Sequence, residues 1–210
     1  MKLATTLCAV AALLLVGGIA QADVMITNAV WGGMNGPYEV GIQFTIASPI
    51  TVNAVGAYSF GWNSTPDGDF VALYAEGNTT PLSDVAVPAG TTVTKPDGTT
   101  GYPGYAWVTL STPLTLPAGT YRLASSMAPW TLGCFRDAAG GNNIQFDTSV
   151  FSNISGIYVY NASNTTAIYP GNIDSGPYNS TNIQFTPSPE PATMALLAIG
   201  GIGALLRRRK

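Results

Sequence analysis

From Tyr38 to Ile46 the chain alternates. Val40, Ile42, Phe44 and Ile46 are separated by Glu39, Gly41, Gln43 and Thr45. A period of two puts the four apolar side chains on one face of an extended chain, which describes a half-buried strand and excludes a helix. Similar segments recur at Ile50–Phe60, Asp69–Tyr74, Leu82–Val87, Tyr105–Leu110, Tyr121–Ser125, Asn143–Phe146, Ile154–Tyr160 and Ile183–Phe185. Turn-forming residues separate them: Ser48-Pro49, Pro66-Asp67-Gly68, Pro88-Ala89-Gly90, Pro96-Asp97-Gly98 and Pro117-Ala118-Gly119. Short strands with frequent turns predict an all-β fold, an antiparallel β-sandwich of the jelly-roll kind.

The chemistry open to such a fold is narrow. The 210 residues include no His, two Cys, and only 9% charged residues. Without imidazole, His-based triads and proton shuttles are excluded. Cys8 lies near the N-terminus, so the body keeps one thiol, Cys134, with no His or second Cys to activate it. A buried small hydrophobe is the role expected of it, with an intermolecular disulfide as the alternative. Between Asp23 and Pro187 the cations are Lys95, Arg122 and Arg136 against ten acids, a net charge of −7. Nucleic acid is a poor partner for that surface.

Both ends of the chain depart from the strand pattern. Lys2, an apolar stretch from Leu7 to Val16 and the small residues of Ala20-Gln21-Ala22 form a secretory signal peptide, residues 1–22, with cleavage expected before Asp23. At the other end, Ser188-Pro189-Glu190-Pro191 precedes an apolar run from Ala192 to Leu206 and the cations Arg207, Arg208, Arg209 and Lys210. As a helix the run is about 22 Å long at ~1.5 Å per residue, a short transmembrane span whose flanking cations can snorkel. Those cations set its C-terminus in the cytoplasm and the body outside. Pro189 and Pro191 keep the segment before the span extended, a form a processing enzyme can bind as a strand.

Pro-Glu-Pro, a Leu- and Gly-rich span and a terminal Arg cluster, in that order, resemble the PEP-CTERM sorting signal of Gram-negative bacteria. The resemblance implies processing by signal peptidase and then by an exosortase near Pro189, Glu190 and Pro191. It also implies an envelope, cell-surface or extracellular destination, often alongside exopolysaccharide. The body, residues 23–187, resembles a family of exported β-sandwich domains of unknown function that precede such signals. The matching stretches are Tyr38-Glu39-Val40-Gly41-Ile42-Gln43-Phe44-Thr45, Pro113 to Tyr121 and Asn182-Ile183-Gln184-Phe185. That family lends a fold and no active site. The third unit, residues 188–210, is the sorting signal itself.

Within the body, Asp67 and Asp69 offer hard oxygen ligands on a turn, but no calcium-loop spacing surrounds them. A glycosidase needs two carboxylates facing one cleft, and Asp69, Glu76, Asp137 and Asp147 are the available acids. Scattered acids on an exported domain are ordinarily solvated. No catalytic, cofactor or metal residue is therefore expected, and the domain reads as a non-enzyme. Among the aromatics, Phe44, Trp107 and Tyr121 sit in strand patterns and are expected in the core. Trp62, Tyr102 and Trp130 fall in loops, where exposed rings can stack on sugars. The expected role is structural or adhesive, with exopolysaccharide binding through those three residues as the alternative.

Overall fold

The computed structural model describes residues 22–28, 38–59, 70–126, 144–161 and 166–188. The expected signal peptide to Gln21, the sorting signal from Pro189 onward, and Trp62, Asp67, Asp69, Trp130, Cys134 and Asp137 lie outside the described residues. In chain order the strands are β1 (Asp23–Val24), β2 (Ile26–Asn28), β3 (Tyr38–Ile46), β4 (Ile50–Ser59), β5 (Phe70–Ala75), β6 (Ser83–Ala86) and β7 (Val93–Thr94). There follow β8 (Gly104–Leu116), β9 (Gly119–Ser126), β10 (Gln145–Phe146), β11 (Phe151–Tyr160), β12 (Asn172–Asp174) and β13 (Thr181–Pro187). One sheet has the order β1-β13-β4-β8-β7 and the other β12-β11-β3-β9-β5-β6, with β2 and β10 paired beside them. All pairings are antiparallel. The sheets curl into a half-barrel, so the expected all-β sandwich is observed. Five- and six-stranded sheets in these orders do not establish the jelly-roll connectivity expected with it.

The alternation of β3 works as read for Ile42, Phe44 and Ile46, each at most 1% exposed. These side chains meet Val55, Ala57, Ile183 and Phe185 from the other sheet in one core. An aromatic chain crosses it: Tyr121 to Phe44 at 5.9 Å, Phe44 to Phe151 at 5.3 Å, and Phe151 to Phe185 at 5.0 Å. Each such ring contact contributes about 0.5–1.5 kcal/mol beyond area burial.

Two features outrun the sequence pattern. β8 was expected to stop at Leu110, yet it continues to Leu116. Its register with β4 shifts so that Val52 faces Leu114 while Ala54 faces Thr109. Pro113 falls inside that irregularity, where a missing N–H breaks no ladder bond. At the other end of the pattern, Asn182 uses its side chain as backbone. Its Oδ1 accepts from the Ile26 amide and its Nδ2 donates to the Ile26 carbonyl, both at 2.9 Å. The N-terminal strands are thereby fastened along β13. β1 begins at Asp23, the residue expected to follow signal cleavage.

Candidate functional site

Of the three loop aromatics proposed to contact sugar, Tyr102 is the one among the described residues. It is 41% exposed and precedes β8, whose first residue, Gly104, pairs with Ser59 at the end of β4. β3 starts and β11 ends at this same end of the sandwich, where Tyr38 pairs with Tyr160. Tyr38 packs edge-on against Tyr160 at 5.8 Å and Tyr158 at 6.4 Å, and Tyr160 is 62% exposed. Tyr38 and Tyr158 are partly buried against Val40 and Tyr178, a small cluster apart from the main core, and Tyr160 is left exposed.

A second arrangement was invisible in the sequence. Glu39, Gln43, Arg122 and Tyr74 occupy the outward face of the six-stranded sheet, where alternation predicts solvent. Segment 166–171 lies over them instead. Arg122, 4% exposed, donates from Nε to Gln43 Oε1 at 3.0 Å and from Nη1 to the Pro170 carbonyl at 2.6 Å. Its Nη2 reaches Glu76 Oε1 at 3.3 Å, and its guanidinium lies 4.9 Å from the centre of the Tyr169 ring. Glu39 has no exposed surface. Its Oε2 accepts from the Ile168 amide at 2.7 Å and from Asn161 Nδ2 at 3.4 Å.

Glu39 Oε1 and the Tyr74 hydroxyl are buried without a hydrogen bond, although the two groups face each other. Burial pushes the Glu39 carboxyl up to about 7, against opposing bonds from Ile168 and Asn161. The Asp84 charge adds to the rise, and burial raises Asp84 too. Burial also drives the Tyr74 phenol upward, with the Glu39 and Asp84 charges helping. Two raised carboxyls near each other suggest acid–base chemistry. Here Glu39 is sealed beneath the segment carrying Ile168, so the pair does not form an open cleft. Of the acids considered for hydrolysis, Glu76 is paired with Arg122. Asp147 accepts from the Ser149 amide and holds the turn before β11.

The third feature is a cleft on the face of the five-stranded sheet turned away from the core. Its volume is about 140 Å³, and Val24, Thr94, Lys95, Trp107 and Gln184 line it together with Ala22, Pro96 and Gly98. Trp107, expected in the core, is partly buried and packs against the core cluster while also lining this cleft. Its placement has a cross-strand cause. Trp107 pairs with Gly56, and its ring covers the glycine so closely that a Cβ there would lie 2.8 Å from Cε3. Glycine in a strand marks a position where another group approaches closely, here the indole.

Among the described residues no three His, Cys, Asp or Glu side chains converge on a metal position, and no helix is long and apolar enough to cross a membrane. Beyond the last described residue, residues 189–210 match the PEP-CTERM protein-sorting motif. The chain carries a PEP-CTERM sorting signal. No match was found among curated proteins. The PEP-CTERM motif implies processing by an exosortase and supports export to the cell surface or envelope. In this chain the motif begins two residues after the end of β13 at Pro187. Ser188 still donates its amide to the Pro49 carbonyl at 3.1 Å, one residue before the motif begins.

Proposed function

We propose that the exported sandwich is a structural or adhesive component of the cell envelope or extracellular matrix and acts by binding rather than by catalysis. The observation that carries this reading is the sorting motif at 189–210, joined without a linker to the last strand of a β-sandwich. In this account the span from Ala192 to Leu206 holds the precursor in the membrane until an exosortase cuts near Pro189, Glu190 and Pro191. Arg207, Arg208, Arg209 and Lys210 fix its orientation until then. Replacing Glu190 with Ala damages the recognised segment and leaves the anchor intact. Cell fractionation of that variant should find it in the membrane, with the parent protein released or surface-bound. Normal release of the variant would refute the exosortase step.

A second reading, exopolysaccharide binding at the end bearing Tyr102, is favoured by the exposure of Tyr102 and Tyr160 at one end of the sandwich. The segments carrying Trp62 and Trp130 join the described chain there, after Ser59 and Ser126.

A further inference from the structure

We infer that the folded sandwich controls its own processing: the end of β13 must peel away from β4 before the segment at Pro189, Glu190 and Pro191 is bound as a strand. This opening precedes, and rests on, the exosortase step proposed above. Its basis is competition for backbone. A protein that captures an extended segment as a strand uses the N–H and C=O groups of that segment. In the folded body those groups are already engaged next to the motif. Thr186 pairs with Thr51 and Pro187 with Ile50, and the Ser188 amide donates to the Pro49 carbonyl at 3.1 Å. The motif begins at the very next residue, 189.

The neighbours of β13 set the size of the piece that must open. β1 reaches along it only as far as Phe185, opposite Asp23. Up to that point β13 lies between two strands, and Phe185 is fully buried, 5.0 Å from the Phe151 ring. Beyond it, among the described residues, Thr186, Pro187 and Ser188 are held from the β4 side alone. Two side-chain bonds add to the backbone there. Thr51 Oγ1 and Ser188 Oγ are 3.3 Å apart, and Asn53 Nδ2 donates to Thr186 Oγ1 at 3.5 Å. Pro187 is exposed and has no N–H to give. The end is a three-residue flap on a few bonds, hinged at a side chain that stays in the core. Opening of such a unit needs far less free energy than unfolding of the whole domain.

Distance keeps the enzyme from avoiding this flap. From Ser188 to Ala192, where the apolar run begins, four residues span at most ~14 Å when fully extended. A membrane-embedded enzyme that reads Pro189 to Pro191 therefore meets the end of the sheet beside its own site. When opening and closing are fast compared with cutting, the rate of cutting follows the population of the open form. Each bond that holds 186–188 to β4 then slows processing. One ordinary hydrogen bond corresponds to roughly two- to tenfold in that population.

The test is a pulse–chase of the full-length chain in its own host, with precursor and processed forms separated by size. A short flexible Gly-Ser spacer inserted between Ser188 and Pro189 frees the motif from the sheet and should speed processing severalfold. Thr51→Val removes the hydroxyl bond to Ser188, keeps a β-branched strand residue and changes no spacing. It should speed processing roughly twofold or more in the parent and not at all behind the spacer. Asn53→Ala, which loses the bond to Thr186, carries the same expectation should Thr51→Val lower the yield. Equal rates for spacer and parent would overturn the inference. So would a spacer effect with no effect of either substitution, which marks crowding instead of pairing, or a substitution effect of equal size in both backgrounds, which marks a weakened fold. Glu190→Ala in the spacer chain separates the two steps. Continued processing there would sink the exosortase reading, whereas blocked processing without any spacer acceleration would sink the flap alone.

Discussion

Replacing Glu39 with Gln tests the buried carboxyl beneath segment 166–171. Glu39 ionises near 4.5 in the unfolded chain and near 7 in the folded one. The folded state therefore holds its proton more tightly, so folding is favoured at low pH and loses this advantage as pH rises. The difference of about 2.5 units corresponds to about 3 kcal/mol, accumulated mainly between about pH 5 and 7 and constant above that. Glutamine has the same shape and no charge. Its oxygen can accept from Ile168 and Asn161, and its NH₂ can donate to the otherwise unpaired Tyr74 oxygen. At pH 8 the variant should be more stable than the parent by about 3 kcal/mol, or roughly 6–12 °C in melting temperature for a domain of this size. At pH 4.5 the two should nearly coincide. Urea denaturation across this range reads the difference directly, with general pH effects shared by both proteins. A gap that does not change with pH, or a Gln variant that is the weaker protein at pH 8, would refute the reasoning.

Arg122→Met removes the donor to Pro170, Gln43 and Glu76 in a buried setting, and should lower stability by about 3–5 kcal/mol in urea titration. Increased protease cutting between 161 and 171 should accompany it, because Arg122 holds that segment down. Gly41→Ala would place a methyl 1.9 Å from the Leu123 carbonyl oxygen, a backbone atom that cannot rotate away. A loss of about 3 kcal/mol or more is expected, visible as a fall in secreted yield and in the urea midpoint.

The sequence made the strands with a period legible and hid those without one. Ile42, Phe44 and Ile46 declared their face because each is flanked by polar or small residues. β1, β2, β7 and β12 have two or three residues each, too few to show a period. Pro113 made β8 look shorter than it is. Glu39 was misleading for a different reason: alternation says which side of a strand a residue faces, not what lies over that side. The cover, residues 166–171, has no pattern of its own and arrives from far along the chain. Trp107 was legible in part: the strand pattern pointed to the core it packs against, but not to the cleft it also lines. The sorting signal was legible because it is read as a linear chain, with no fold needed to assemble it.

The position of β13 has a mechanical consequence. It lies between β1 and β4, pairs with β4 from Thr181 to Pro187, and leads directly into the sorting signal. A pull applied at the C-terminus, as by the proposed membrane anchor before processing, would therefore run along the axis of an inner strand. The bonds to both neighbours are loaded in shear together, instead of opening one at a time from an edge. Resistance to such a pull is set by the rate of unfolding, not by equilibrium stability. With the proposed anchor in place, the body would keep its shape under fluid drag until the anchor is cut.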